Sequence, residues 1–213
     1  MSIPFALEQF LELIRNYNLA IWPMQVIAYL LGIAALFLAL KKTKYSSRII
    51  AAILAFFWLW VGILCNLMYF SQIWKVFIVF GILFIIQGIL FLIAGVFKSN
   101  VSFRFRLDAY SNTGSLFIIY AIAGYPILGY FFGRIYPQSL SFGLVPCPTT
   151  VFTFGMLLWA DKKLPKYILI IPLIFSLSGF LAIPLGIFED IGLIIAGLLG
   201  TFMIIYRDRK RRD

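Results

Sequence analysis

Residues 76–97 read VFIVFGILFIIQGILFLIAGVF, an apolar run of 22 residues interrupted by one polar side chain, that of Gln87. A helix that crosses the roughly 30 Å hydrocarbon core of a bilayer needs about 20 predominantly apolar residues. Because lipid offers the backbone no hydrogen-bond partner, a helix is the form that such a segment adopts there. The run therefore predicts a membrane-spanning helix.

Six further apolar segments lie before and after this run. Of the 213 residues, 63% are hydrophobic and only 12% are charged, whereas a soluble domain carries about 25% charged residues. The predicted fold is therefore an all-α polytopic membrane protein, with residues 1–213 forming a single transmembrane domain, a seven-transmembrane-helix bundle. The spans are expected at about 20–40, 49–70, 76–97, 116–133, 141–160, 167–188 and 191–206.

The Lys and Arg residues between the spans predict the orientation of the bundle. Of these 18 residues, 15 fall in the loops and tail on one side, and Arg15, Lys75 and Arg134 fall on the other. Because cytoplasmic loops are enriched in Lys and Arg, we expect the N-terminus outside and the C-terminus in the cytoplasm of a cell (inner) membrane protein. The expected partner is the lipid bilayer, and basic residues placed in this way argue against nucleic-acid binding.

Two further patterns concern packing. Residues 4–17 carry an apolar stripe opposite Glu8 and Glu12, which predicts a short amphipathic helix. Its apolar face either lies in the membrane interface or packs on the bundle. In the third span, glycines recur every seven residues and predict close contact with a neighbouring helix. These glycines are Gly81, Gly88 and Gly95.

The residue types that are missing exclude several membrane chemistries. The sequence contains no histidine, which removes Ser-His and zinc-dependent intramembrane proteases and His-ligated haem. It has no Gly-rich phosphate-binding loop followed by Lys and Ser or Thr. We therefore expect that the chain is not an enzyme and uses no cofactor. A membrane enzyme with Cys147 as its nucleophile is the enzymatic alternative.

The segment Pro146-Cys147-Pro148-Thr149-Thr150 is the strongest local anomaly of the sequence. Proline is favoured in the first turn of a helix and disfavoured further in, so we place a helix start at Pro148 with Cys147 as the cap residue. A helix from there to residue 160 covers only about 20 Å of the core. The fifth span is thus predicted to break at 146–148, with irregular chain over 139–145 that protein or a water-filled cavity surrounds.

Two interpretations of this break remain open. In the first, Cys147 forms an outward-facing site with Cys65 and Glu189 for a small solute or a soft metal ion, because transporters use broken helices that face a cavity. In the second, Cys147 packs as a small hydrophobe, and Arg134 pairs with Glu189 or Asp190 as a structural clamp. The full candidate set is Cys147, Pro146, Pro148, Thr149, Thr150, Cys65, Glu189, Asp190, Arg134 and, near mid-membrane, Gln87.

Short stretches spread over nearly the whole chain carry a family resemblance. They are Pro4-Phe5 with Glu8-Gln9-Phe10, Tyr17-Asn18, Trp22-Pro23, Trp58-Leu59-Trp60, Tyr125-Pro126, Arg134-Ile135-Tyr136-Pro137, the run from Pro146 to Gly155, and Glu189-Asp190-Ile191-Gly192-Leu193. With these stretches the chain resembles an uncharacterised prokaryotic membrane family, domain of unknown function 6064. The run that begins at Pro146 is the most specific part. The resemblance implies a multi-span bacterial or archaeal membrane protein and supplies no catalytic residue.

The function predicted first is a small permease or transporter for a small solute or ion, because the fifth span is broken near polar groups. The alternative is a non-catalytic accessory or sensor subunit of a membrane complex, because the spans carry no charge in their interior. A homo-oligomer or a partner membrane protein is compatible with either function.

Overall fold

The computed structural model describes residues 6–210, and the fold is 76% helical. No β-strand occurs within these residues, so the predicted all-α class is confirmed. Residues 4 and 5 of the predicted N-terminal helix and Arg211 and Arg212 of the basic tail lie outside the described residues. The described part of the chain forms eight helices: α1 (Leu7–Ala20), α2 (Met24–Leu40), α3 (Ser46–Gln72), α4 (Val76–Phe97), α5 (Ala109–Phe131), α6 (Pro146–Leu158), α7 (Tyr167–Leu185) and α8 (Asp190–Lys210).

By length and composition, five of these helices are apolar enough to cross a membrane: α3, α4, α5, α7 and α8. Helices α1 and α2 would add a sixth span if they are taken together as one segment. The chain bends by 82° between these two helices. The bend falls at Pro23, which precedes Met24 and donates no backbone hydrogen bond. Helix α2 therefore begins later than the predicted residue 20, and α5 begins at Ala109 rather than at residue 116.

Helix α1 packs on the bundle. It runs from Leu7 to Ala20 rather than over the predicted 4–17, and Phe10, Ile14 and Tyr17 of its apolar face are buried in the core. Of the two placements open at the level of sequence, the structure therefore shows packing against protein.

Helix α6 lies at the centre of the fold. Every residue of this helix except Cys147 is buried, and the helix packs most extensively on α5 and α8. The approach to α5 depends on glycine, because a Cβ atom at Gly155 would lie 2.8 Å from the carbonyl oxygen of Gly114. A 13-residue helix in this position is enclosed by its neighbours on all sides.

The predicted start of α6 at Pro148, with Cys147 as the cap, is wrong. The helix begins at Pro146 after the extended residue Val145, and Cys147 is already helical. Both prolines fit because the backbone N–H groups of the first helical turn have no partner within the helix, so a missing N–H there removes no hydrogen bond.

The chain between α5 and α6, residues 132–145, is irregular, as predicted for its second half. Helix α1 supplies hydrogen bonds that this buried backbone needs. The Asn18 Nδ2 atom donates to the carbonyl oxygens of Pro137 and Ser139 at 2.7 and 2.8 Å, and the Tyr17 hydroxyl donates to that of Leu144 at 2.7 Å. The irregular segment is therefore held in place by protein.

Helices α3 and α4 are in close contact along the predicted glycine face. A Cβ atom at Gly81 would lie 2.6 Å from the side chain of Leu67, and one at Gly88 would lie 2.7 Å from that of Leu59, both on α3. The prediction of a closely packed neighbour is confirmed, and that neighbour is α3.

The last turns of α8 contact the C-terminal end of α6. Arg207 and Asp208 are buried there. The Arg207 Nη1 atom donates to the carbonyl oxygen of Leu158 at 3.0 Å, and a carboxylate oxygen of Asp208 accepts from the Leu164 N–H at 2.8 Å. These contacts satisfy a carbonyl group at the C-terminus of α6 and an N–H group of the loop that follows it, so this part of the basic tail also has a structural role.

Candidate functional site

A carboxylate, a thiol and a phenol meet at the N-terminal end of α6. Asp190, the first residue of α8, accepts hydrogen bonds from Cys147 Sγ at 3.2 Å and from the Tyr125 hydroxyl at 3.1 Å. Asp190 is only 3% exposed. Within residues 6–210, no Lys or Arg forms an ion pair with it. The site thus contains a buried carboxylate with two neutral donors, at the positive end of a helix dipole.

A buried ion pair lies directly beside this carboxylate. Arg134 binds Glu189 through two contacts, Nη2 to Oε2 at 2.5 Å and Nε to Oε1 at 3.1 Å, and both side chains are almost fully enclosed. Arg134 Nη1 also donates to the carbonyl oxygen of Gly186 at 3.2 Å, and the Tyr120 hydroxyl donates to that of Glu189 at 2.7 Å. The bidentate pair fixes the turn between α7 and α8 against the end of α5.

A cavity of about 80 Å³ opens next to Cys147 and Asp190. Its walls are almost wholly apolar, and they come from α1, α3, α4, α7, the irregular segment before α6 and the first turn of α6. Aromatic rings form most of the wall on one side: Phe10, Phe70, Trp74, Phe77, Phe80 and Phe175. The lining also contains two ionisable groups, the carboxyl group of Asp190 and the thiol of Cys147.

Among the described residues, one acidic side chain of the site forms no ion pair. Arg134 and Glu189 neutralise each other, and Asp190 has no cationic partner among the described residues. The Cys147 thiol donates a hydrogen bond to Asp190, so in this geometry it is a thiol and not a free thiolate nucleophile. Among residues 6–210, no three His, Cys, Asp or Glu side chains are grouped closely enough to hold a metal ion.

The predicted candidate residues fall into two groups. The structure brings Cys147, Pro146 and Asp190 together in the cavity lining, with Glu189 and Arg134 beside them. Pro148 is buried in the first turn of α6.

The other candidates lie away from the cavity. The hydroxyls of Thr149 and Thr150 donate to backbone carbonyl groups one turn earlier, at 2.7 and 2.9 Å. Cys65 is buried in a π-helical part of α3 beside the Tyr17 hydroxyl and does not line the cavity. Gln87 donates from Nε2 to the carbonyl oxygen of Ile168 on α7 at 3.1 Å and connects two helices.

Several site residues were not singled out from the sequence. Tyr125 is the second donor to Asp190, and Tyr17 and Asn18 position the chain that leads into α6. Both tyrosines lie in stretches that carry the family resemblance, which is the signal that could have identified them. The aromatic wall had no comparable signal, because phenylalanines are spread throughout the apolar segments.

These observations define an all-helical protein with several apolar helices long enough to span a membrane and a short, enclosed helix at the centre. The model of the family of unknown function DUF6064 matches residues 7–213. The chain therefore belongs to this family. No curated protein and no solved structure matches the chain.

Proposed function

We propose that the chain is a single membrane domain of seven spans, with its N-terminus outside and its C-terminus in the cytoplasm. Five long apolar helices and α2 supply six of the spans. The fifth crossing combines α6, which covers about 20 Å, with the irregular segment before it. Hydrogen bonds from α1 to that segment support this arrangement, because irregular backbone at membrane depth must be enclosed by protein.

The distribution of basic residues supports the proposed orientation in a cell membrane. The loops after α2, α4 and α6, the first turn of α3, and the last turns of α8 with the chain that follows them hold 15 of the 18 Lys and Arg residues. The cavity is built from the opposite ends of the helices: the C-terminal parts of α3 and α7 and the N-terminal parts of α4, α6 and α8. On this orientation, the cavity belongs to the outer half of the protein.

The function that the geometry supports best is that of a small permease, which moves a small solute across the membrane without chemical conversion. One observation carries this proposal: a cavity at the N-terminal end of a short enclosed helix, with the buried carboxylate of Asp190 in its lining. In transporters, the ends of interrupted helices face the substrate in the same way. Burying an ionisable group in a membrane bundle is costly, and such groups usually belong to functional sites.

The test is solute entry into liposomes that contain the purified full-length chain. Stopped-flow light scattering would follow the entry of glycerol, alanine and tetramethylammonium chloride, with protein-free liposomes as the background. We expect at least one of these solutes to enter faster with protein present. An Ala182→Trp variant, which places an indole in the cavity wall, should remove that difference.

The matched control for the cavity variant is Ala52→Trp, which adds the same side chain to an exposed position of α3. It should leave solute entry unchanged. If none of the three solutes enters faster than in protein-free liposomes, or if Ala182→Trp transports as well as the wild type, the permease proposal is wrong. Absence of entry together with a stably co-purified membrane protein would favour an accessory or sensor subunit.

A further inference from the structure

We propose that the cavity binds a small quaternary ammonium ion, held by the carboxylate of Asp190 and by the faces of the aromatic wall. This inference rests on the proposed permease function and names the class of its substrate. Four features of the cavity support it: the charge, the nature of the walls, the hydrogen-bonding capacity and the size.

The charge of the site calls for a cation. The ion pair of Arg134 and Glu189 is internally neutral, and Asp190, when ionised, adds a negative charge beside it. A carboxyl group that is 3% exposed either stays protonated or needs a positive group close to its ionised form. A monovalent cation in the cavity would supply that group.

The aromatic walls favour an organic cation over a metal ion. Aromatic rings attract cations that lie over their faces, and this attraction is the established basis of quaternary ammonium recognition. The rings of the wall form a connected series, with centroids 5.5 Å apart for Phe10 and Phe70, 5.1 Å for Phe70 and Phe77, and 5.3 Å for Phe80 and Phe175. A metal ion would need several oxygen, nitrogen or sulfur ligands, which this wall does not supply.

The hydrogen-bonding capacity of the lining favours a cation that has no N–H group. A primary ammonium group carries three donors, and each buried donor left unpaired costs free energy. The Ser178 hydroxyl already donates to the carbonyl oxygen of Phe175 at 2.7 Å, and Asp190 already accepts from Cys147 and Tyr125. A quaternary ammonium group has no donor to satisfy, so it fits a wall of this kind better.

The size of the cavity limits the ligand to a few atoms. A volume of about 80 Å³ has room for about five to eight water molecules. Tetramethylammonium has a comparable size, and 2-methylpropan-2-ol matches it in shape without the charge. A comparison of tetramethylammonium with 2-methylpropan-2-ol therefore separates binding that depends on charge from binding through apolar contact alone.

The experiment is isothermal titration calorimetry of the full-length chain in lipid nanodiscs with tetramethylammonium chloride, at constant ionic strength. We expect saturable binding of tetramethylammonium and at least tenfold weaker binding of 2-methylpropan-2-ol. Asp190→Asn should weaken tetramethylammonium binding at least tenfold and leave the binding of 2-methylpropan-2-ol unchanged. The control Asp161→Asn removes a carboxylate at the other end of the bundle and should bind as the wild type does.

A second variant keeps the test decisive if Asp190→Asn does not fold. Trp74→Leu removes one ring of the wall and retains an apolar side chain, and it should weaken tetramethylammonium binding about two- to fivefold. Equal binding of the ion and the alcohol, no binding of the ion, or unchanged binding by both variants would overturn the inference. Binding without entry into liposomes would refute the permease alone, and entry of another solute without tetramethylammonium binding would refute the ligand class alone.

Discussion

Removing one partner of the buried ion pair between Arg134 and Glu189 should strongly decrease the stability of the protein. The side chains are 5% and 1% exposed and make two direct contacts. Replacing Arg134 with methionine keeps a similar volume and leaves the Glu189 carboxylate buried without a cation. Loss of one partner of such a pair costs about 3–5 kcal/mol. For a chain of this length, that cost corresponds to a decrease in Tm of about 6–20 °C.

The assay is thermal unfolding of the purified chain in detergent, followed by circular dichroism. The matched control is Lys42→Met, which breaks the ion pair with Asp161, where the lysine side chain is 33% exposed. The Asp161 side chain is 10% exposed, so this pair is less buried than that of Arg134 and Glu189, and Tm should decrease less for Lys42→Met than for Arg134→Met. The double variant Arg134→Met with Glu189→Leu should regain most of the loss, because it removes the orphaned charge. A decrease for Arg134→Met no larger than that for Lys42→Met would refute the reasoning.

Three further perturbations test other parts of the structure. Tyr17→Phe removes the hydrogen bond to Leu144 and should cost about 1–3 kcal/mol; hydrogen exchange should increase in residues 132–145, and unchanged exchange there would contradict the proposed role of α1. Gly155→Leu forces a side chain against α5 and should lower Tm by more than Ala52→Leu on the exposed face of α3. A Gly155→Leu variant that folds and has the wild-type Tm would contradict the close approach of α6 to α5. Burial raises the pKa of Asp161, but hydrogen bonds from Lys42 and the lysine charge outweigh this and hold it below its usual value of 3.8. Asp161→Asn should therefore lower the free energy of unfolding at neutral pH by under about 1 kcal/mol. The difference from wild type should be lost progressively as the pH falls from 3.8 through the lowered pKa; a difference that grows over this range would contradict the prediction.

The helices could be predicted from the sequence because a long apolar run is a local signal. The run over residues 76–97 corresponds to α4 without any shift in its bounds. The start of α6 could not be located to the residue, because Pro146 and Pro148 are equally acceptable in a first helical turn. The residue before a proline is biased towards extended backbone, and this applies to both Val145 and Cys147; in the structure Val145 is the extended residue.

The site was only partly predictable for a related reason. The sequence places the Pro146 segment and the turn at Asp190 at the same end of the bundle, and the structure shows them in contact. Tyr125 joins them across 65 residues, and no local pattern specifies such a pairing. The aromatic wall escaped prediction because a phenylalanine that faces a cavity and one that faces lipid look the same in a chain that is 63% hydrophobic.

The proposed orientation places Cys147 in the wall of a cavity that opens to the outside of the cell. It can be tested most directly with the membrane-impermeant reagent methanethiosulfonate ethyltrimethylammonium on intact cells that express a Cys65→Ala variant, in which Cys147 is the remaining thiol. We predict that Cys147 is modified in intact cells and that Ala182→Trp slows the modification. Labelling only after the cells are permeabilised, or labelling that Ala182→Trp does not slow, would contradict the account.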